Sequence, residues 1–105
     1  SVHADICFLG TSGILDRKGP TTHSYQELEA KKAMVRQSER VYVLADHDKF
    51  QESGFHTMCL WEDIDGIITD GSLSAKAFKQ YEKIVPIWMA QEDENEKNRQ
   101  NSAVL

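Results

Sequence analysis

The sequence predicts an α/β protein in which a Rossmann-like, mostly parallel sheet is flanked by helices. Apolar, β-branched segments alternate along the chain with segments of helical periodicity, an order typical of parallel strands joined by crossover helices. The strand segments are apolar throughout, as expected of parallel strands whose two faces are both covered. At 105 residues the chain is long enough for one domain with one modest core.

The predicted strands occupy four clear apolar segments and one weaker segment. They are residues 4–9, 40–45, 66–69 and 84–89, with the weaker strand at 55–60. Pro86 lies within the last of them and favours an edge of the sheet, because proline cannot donate a hydrogen bond to a neighbouring strand.

Two helices and a polar tail complete the predicted order of elements. The helices span residues 24–38 and 74–82, and the first begins with Ser24 and Glu27, the S-x-x-E pattern of a capping box. Residues 91–105 are charge-dense and contain no aromatic residue, so we expect a flexible or weakly helical tail after an ordered domain at 4–90.

The composition narrows the classes of function. A net charge of −5 argues against a nucleic-acid-binding surface, which needs a basic face, but allows a small anionic ligand held by backbone amides. No apolar run is long enough to span a bilayer and no secretory signal opens the chain, so we expect a cytoplasmic protein without a membrane partner. Cys7 and Cys59 are predicted to be buried thiols of a reducing compartment, with a disulfide or a metal site as the less favoured alternative.

Polar and small residues follow three of the predicted strands at their carboxyl ends, where open parallel sheets bind ligands. The first strand ends in Gly10, Thr11, Ser12 and Gly13. The second is followed by Asp46 and Lys49, and the third by Asp70. If the strands are parallel these groups lie on a single rim, where the glycines allow close approach, Lys49 suits a phosphate and the carboxylates suit sugar hydroxyls. Taken singly, each of these residues also fits a turn or a helix cap.

The first helix carries two charged residues on its apolar side. Glu27 and Lys31 fall, on the helical wheel, within the stripe formed by Leu28, Met34 and Val35. An ion pair inside such a stripe is costly unless both groups are satisfied. Either the two side chains extend to solvent at the edge of the stripe, or the helix lines a polar cleft.

Other motifs do not support a metal or a cofactor. The GTSG turn lacks the Gly-Lys-Ser/Thr ending of a phosphate-binding P-loop. Asp46, His47 and Asp48 resemble a metal triad, but neighbours on an extended segment point to opposite sides. We therefore predict no metal and no cofactor.

Three motifs in combination resemble the second half of the sensor domain of DeoR-type bacterial transcriptional repressors. They are LGTSGILD with GPTT, the helix ELEAKKAMVRQS, and the pair VLADHDKF with IDGIITD, within a likeness that covers residues 4–89. The resemblance implies a Rossmann-like fold related to ribose-5-phosphate isomerase and the coenzyme A transferases. It also implies a homo-oligomeric regulator whose C-terminal domain binds a phosphorylated sugar and controls DNA binding by an N-terminal winged helix-turn-helix.

The same resemblance implies the residues of the ligand site. The loop Gly10, Thr11, Ser12 and Gly13 matches the sensor's pocket loop, and Asp16 matches the acidic residue after it. Glu27 and Lys31 match the polar positions of the helix, and Asp46 and Lys49 match the D-x-x-K pattern at a strand end. Asp70 joins them by its position after the third strand.

The family pattern also predicts what this chain lacks. It contains no helix-turn-helix and not the first part of the sensor, where the family has a further phosphate loop. We therefore expect a fragment with half of the pocket, reaching DNA only through the absent domain and exposing a sheet edge or face. The alternative is a fragment of a sugar-phosphate isomerase-type enzyme. We do not expect isomerase activity, because the loop keeps Asp16 but has no carboxylate in GTSG itself.

Overall fold

A computed structural model describes residues 3–14 and 18–90 of the chain. The predicted tail at 91–105 and the predicted site residue Asp16 lie outside this part. The described elements, in chain order, are β1 (Ala4–Gly10), β2 (Thr21–Thr22), α1 (Tyr25–Arg36), β3 (Ser38–Leu44), β4 (His56–Thr57), β5 (Gly66–Thr69), α2 (Ala75–Glu82) and β6 (Ile87–Met89), with short 3₁₀ helices at His47–Gln51 and Trp61–Asp63. Neither α-helix in the described ranges is long and apolar enough to cross a membrane.

The main sheet has four parallel strands in the order β1-β3-β5-β6. Leu9, Val43, Ile67 and Ile87 pair in one row across it. This arrangement confirms the predicted parallel α/β fold, and it confirms the edge position of the last strand. A second, two-stranded antiparallel sheet joins β2 to β4.

The core lies on one face of the main sheet. Leu9, Val43 and Ile67 are almost fully buried there, in one cluster with Leu28 of α1 and Tyr81 of α2. The strand order rises steadily along the sheet. Because crossovers between parallel strands are right-handed, successive connections in such a sheet all run over the same face. Both helices therefore cover this one face.

The opposite face is not covered by either helix, in agreement with the expectation of an exposed sheet edge or face. Phe8 is 53% exposed, Ile6 47% and Trp88 51%, although all three lie in strands of the sheet. The apolar character of these strands had suggested two covered faces. The steady strand order leaves one face bare because it sends both helices to the other.

Several element boundaries differ from the predicted ones for local reasons. Ser24 caps α1 by accepting a hydrogen bond from the Glu27 backbone N–H at 3.2 Å, which is one half of the predicted capping box; the Ser24 N–H donates instead to Thr22 Oγ1. The helix ends at Arg36, and Ser38 pairs with Ala4 in the sheet. The last strand begins only at Ile87, because the backbone N–H groups before it fold back to the end of α2. The weak strand at 55–60 shrinks to β4, whose partner β2 was not predicted.

The helical-wheel prediction for α1 is wrong for two residues. Leu28 is buried and Val35 packs against the core, but Met34 is 44% exposed and the Glu27 side chain is 60% exposed. Lys31 keeps a side chain that is only 17% exposed. The buried stripe is therefore narrower than the wheel suggested, because a single sheet face contacts the helix and Glu27 lies in its first turn.

Both cysteines are buried free thiols, as predicted. Burial raises the pKa of the Cys59 thiol from 9.0 to about 11, so it stays protonated near neutral pH.

The loop after β1 is held tightly by backbone contacts. The Ile14 N–H donates to the Lys49 carbonyl at 2.8 Å, and Gly13 forms a bridge with Thr21. A Cβ atom at Gly13 would overlap the backbone carbonyl of Glu52, whereas a Cβ atom at Gly10 would meet nothing within 4 Å. The first loop therefore requires glycine at one of these two positions and not at the other.

We predict that Gly13→Ala lowers the free energy of unfolding by about 2 kcal/mol, because the loop or the facing backbone must shift. Gly10→Ala is the matched control and should leave stability unchanged or raise it by about 0.4–1 kcal/mol, since it restricts the unfolded chain without a clash. Urea unfolding followed by circular dichroism measures both. Equal stability of the two variants would contradict the tight packing of Gly13.

Candidate functional site

The carboxyl ends of β1, β3 and β5 lie side by side at one edge of the sheet. Gly10, Leu44 and Ile68 pair in the last row of the three strands. The loops that follow, at residues 10–14, 45–51 and 70–74, are therefore neighbours, and we call the edge that they form the rim. This is the arrangement that the single-rim prediction required of the strands.

The first loop uses most of its polar groups on itself. The Thr11 hydroxyl lies 2.9 Å from the Gly13 carbonyl and 2.7 Å from the Thr21 carbonyl, so it closes the loop. Ser12 Oγ accepts a hydrogen bond from the His23 backbone N–H at 3.0 Å. Since a hydroxyl also carries a proton, Ser12 can still donate to a ligand while Thr11 holds the loop shape.

Helix α1 brings a positive charge to this loop through Lys31. Its Nζ donates to the Gly10 carbonyl at 3.1 Å and lies 3.5 Å from Glu27 Oε1. The ammonium group has three protons, so one remains after these two contacts. Lys31 thus belongs to the rim, while the predicted partner Glu27 stays on its exposed side.

The second loop carries Asp46 and Lys49 in different roles. Asp46 Oδ1 accepts a hydrogen bond from the Asp48 N–H at 3.1 Å and so begins the 3₁₀ helix, which is the capping alternative. The Lys49 Nζ lies 3.4 Å from Glu52 Oε2 with its side chain 32% exposed. An exposed pair of this kind is worth little, about 0–1 kcal/mol, so Lys49 can exchange it for a ligand.

The third loop is joined to the second by an ion pair between Asp70 and His47. Asp70 Oδ2 lies 3.0 Å from His47 Nδ1, and it accepts the His47 backbone N–H at 3.1 Å. His47 Nε2 also lies 3.3 Å from Asp48 Oδ1. These contacts fix the loops after β3 and β5 to each other.

His47 is a rim residue that was not among the predicted ligand residues. Neighbours on an extended segment point to opposite sides, but the chain is not extended here, because a 3₁₀ helix begins at His47. The sequence feature that could have indicated His47 as a site residue is its position between two aspartates at the end of a strand. Its ring pairs with Asp70 from the next loop, a contact between distant positions that spacing alone does not reveal.

The contact between His47 and Asp70 shifts the pKa values of both side chains. The hydrogen bond to Asp70 raises the pKa of His47 above its ordinary value of 6.5. Partial burial works to raise the pKa of Asp70, but hydrogen bonds from His47 and the Ser72 N–H outweigh it and lower that pKa below 3.8. The stabilisation is lost as the pH rises through the raised histidine pKa, or falls through the lowered aspartate pKa. It is therefore fully present between about 3.8 and 6.5.

A cavity of about 340 Å³ opens beside the rim, between the 3₁₀ helix and α2. Phe50 and Tyr81 form part of its apolar lining, and His47, Ser74 and Lys76 are among its polar residues. The volume falls in the range of small-molecule sites. None of the predicted site residues lines it, and the cavity adjoins the rim through His47.

The described residues also contain a group of metal-capable side chains far from this edge. His3, Asp5 and Glu39 lie together at the opposite end of β1 and β3, all exposed. They belong to the amino ends of the strands and take no part in the rim.

We predict that Asp70→Asn lowers the pKa of His47 back toward 6.5, because the amide keeps a hydrogen-bonding group but loses the charge that favours imidazolium. Asp48→Asn is the matched control, since Asp48 contributes less, and should lower this pKa by a smaller amount. NMR titration of the histidine ring protons measures both. An unchanged His47 pKa in Asp70→Asn would show that the ion pair is not formed.

Comparison with known proteins places the chain in a family. A family model described as the DeoR C terminal sensor domain matches residues 1–71. The chain is 27% identical over 82 residues to the HTH-type transcriptional regulator GolR of Listeria innocua, an alignment that covers 78% of this chain and 32% of the relative. It is 32% identical over 81 residues to a putative aga operon transcriptional repressor of Escherichia coli O157:H7, covering 77% and 30%.

A third relative gives the same picture. The HTH-type transcriptional regulator GlpR of Haloferax volcanii is 35% identical over 78 residues, covering 74% of this chain and 31% of its own length. The chain therefore spans about a third of the length of the curated relatives it matches. With most of its length matched by the family model, the chain belongs to the DeoR C-terminal sensor domain family.

Proposed function

We propose that this chain is the effector-sensing part of a DeoR-type transcriptional repressor of a carbohydrate-utilisation operon, acting in the cytoplasm. A phosphorylated sugar binds at the rim and modulates DNA binding by a helix-turn-helix that the full-length, homo-oligomeric regulator supplies. The observation that carries this proposal is the meeting of three polar loops at one edge of a parallel sheet. The loops are tied together by the Ile14–Lys49 and His47–Asp70 hydrogen bonds.

The groups at the rim suit a sugar phosphate. A phosphate needs cations and N–H or O–H donors, which Lys31, Lys49 and Ser12 supply. Sugar hydroxyls need acceptors, and the Asp46 and Asp70 carboxylates keep lone pairs beyond their present contacts. Glu27 acts indirectly by holding Lys31 at 3.5 Å. Thr11 and Gly13 give the loop its shape, and Gly10 supplies the carbonyl that Lys31 contacts. Asp16, outside the described residues, keeps its proposed ligand role from the family pattern.

Switching places a further demand on this site. An effector changes DNA affinity only if it binds the DNA-competent and DNA-released states with different free energies. We assign Lys31 to this role, because it joins α1 to the first loop through the Gly10 carbonyl and can share that bonding with a phosphate. The net charge of −5 agrees with DNA contact through another domain.

The isomerase-type enzyme is the second candidate and is not favoured. The relatives reported above are named as transcriptional regulators or repressors. A general base works best when its pKa lies near the working pH, whereas the pKa of Asp70 is lowered and Asp46 serves as a helix cap. The proposal is therefore a binding module without turnover.

Sugar phosphates added to the full-length regulator separate the two candidates. A ligand that binds the folded state at about 100 times its Kd stabilises it by about 2.7 kcal/mol, so we expect a saturable rise in Tm. NMR of the same mixtures should show the sugar phosphate unchanged. Conversion of a pentose phosphate would favour the enzyme, and no rise in Tm with any member of a broad panel would count against sugar-phosphate sensing.

The two rim lysines should contribute to effector affinity. We predict that Lys31→Met and Lys49→Ala in the full-length regulator each weaken effector binding about tenfold or more, since each removes a charged hydrogen bond worth about 1.5–3 kcal/mol. Operator binding without effector should stay unchanged. Lys83→Met, beyond the far end of α2, is the control and should retain full affinity. Effector affinity is measured by calorimetry. Unaltered affinity in both rim variants would show that neither lysine contacts the effector.

A further inference from the structure

The cavity beside the rim has an apolar wall and a polar mouth. Phe50 and Tyr81 are buried, and their rings meet edge to face with centroids 5.3 Å apart. Ala77 of α2 also lines the cavity and is partly buried, whereas Lys76 and Gln80 of the same helix are exposed. The volume of about 340 Å³ is therefore bordered by a buried aromatic pair on one side and by an exposed polar edge on the other.

Tyr81 carries a hydroxyl group that has no hydrogen-bond partner among the described residues. The side chain is 5% exposed, and its contacts are with the rings of Phe50 and Trp61. Within the described ranges the one buried side-chain oxygen or nitrogen that is both sealed from solvent and unpartnered is Thr69 Oγ1, so the Tyr81 oxygen keeps some accessible surface. Buried tyrosine hydroxyls usually have a partner. A ligand oxygen that enters the cavity would supply one.

Burial keeps this hydroxyl a donor. It raises the pKa of Tyr81 above the ordinary value of 10.0, so the phenol holds its proton near neutral pH. The matching group on a ligand is therefore a hydrogen-bond acceptor at the buried end of the cavity.

The charges around the cavity favour an anion at its open end. No carboxylate is found among the described residues that line it, although the chain has 17 acidic residues. Lys76 brings an ammonium group that has no ion-pair partner in the part of the chain that the structure describes. The ring nitrogens of His47 already lie 3.0 Å from Asp70 and 3.3 Å from Asp48, so its charge is balanced. Lys76 is therefore the cation that a ligand would meet.

We propose that this cavity binds a second ligand, a small aromatic carboxylate that carries an oxygen acceptor at the end opposite its carboxylate. The ring packs against Phe50 and Ala77, since aromatic rings favour edge-to-face neighbours. The inner oxygen accepts the Tyr81 proton, and the carboxylate pairs with Lys76 at the mouth. Small-molecule sites combine such an apolar lining with a few polar groups that fix orientation. This inference goes beyond the proposed function, because it involves none of the predicted sugar-phosphate residues.

A pair of ligands and a variant that removes one oxygen test the inner contact. The full-length regulator is titrated with para-hydroxybenzoate and with benzoate, which lacks the second acceptor, and binding is followed by saturation-transfer NMR. We expect Tyr81→Phe to weaken binding of para-hydroxybenzoate about three- to tenfold and to leave benzoate unaffected, because one neutral hydrogen bond is lost. The midpoint of urea unfolding should not fall, since the hydroxyl has no partner in the folded chain. A merely structural hydroxyl would give a lower midpoint and equal effects on both ligands.

The outer contact is tested with a neutral ligand. We expect Lys76→Met to weaken binding of para-hydroxybenzoate about two- to fivefold, as for an exposed ion pair, and to leave para-hydroxybenzamide unaffected. Lys79→Met is the matched control, because Lys79 lies on the same helix but lines a different groove with Met89. It should retain full affinity for both ligands.

Filling the cavity tests its location. Ala77→Met places a longer side chain in the cavity and should weaken binding of para-hydroxybenzoate at least about tenfold. Ala75→Met makes the same change on the same helix in the groove that contains Lys79, so it should leave binding unchanged. Circular dichroism checks that the variants fold, and Tyr81→Phe carries the test if Ala77→Met does not.

Two results would overturn the proposal. One is the absence of saturable binding of para-hydroxybenzoate, and the other is an affinity that either Tyr81→Phe or Ala77→Met leaves unaltered. The titrations contain no sugar phosphate, so failure of this proposal is distinguishable from failure of the proposed function.

Discussion

Parallel pairing of the strands in rising order is the constraint on which the rest of this structure depends. Because β1, β3 and β5 run in the same direction and end in one row, their following loops meet at one edge. Because the order rises steadily, right-handed crossovers carry both helices to one face. The polar rim and the exposed face of the sheet are thus two consequences of the same topology.

Backbone hydrogen bonds fix the loops of the rim, whereas its lysine side chains can change their partners. The Ile14–Lys49 hydrogen bond and the close approach of Gly13 to Glu52 fix the first loop against the second. Lys31 contacts the Gly10 carbonyl at 3.1 Å and Glu27 at 3.5 Å, and Lys49 contacts Glu52 at 3.4 Å; a phosphate can replace or share these contacts. A backbone frame with exchangeable cations suits a site that binds and releases an anion.

The sequence was informative where local chemistry decides the structure. The β-branched runs marked β1, β3 and β5, and Ser24 marked the start of α1, because burial and capping act over a few neighbouring residues. The location of the loops at one edge followed from parallel strands. The family resemblance then supplied candidate roles that the local pattern could not assign.

Contacts between distant positions were beyond the local pattern. The pairing of β2 with β4 joins residues 34 and 36 positions apart, and the His47–Asp70 bond joins residues 23 apart. Glu27 was predicted to lie in the buried stripe because a helical wheel gives the direction of each side chain but not the width of the helix surface that one sheet face covers. An exposed sheet face was expected from the family pattern, but its row of rings was not, because the contacts between Phe8, Tyr42 and Trp88 join three different strands.

The last row of the sheet connects the rim to the exposed face of the sheet. Gly10, Leu44, Ile68 and Trp88 pair across the four strands on that side, directly before the loops of the rim. Gly10 also gives its carbonyl to Lys31, so one residue borders both surfaces. The topology that brings the three loops together at one edge therefore also places their bases beside the exposed side of the sheet.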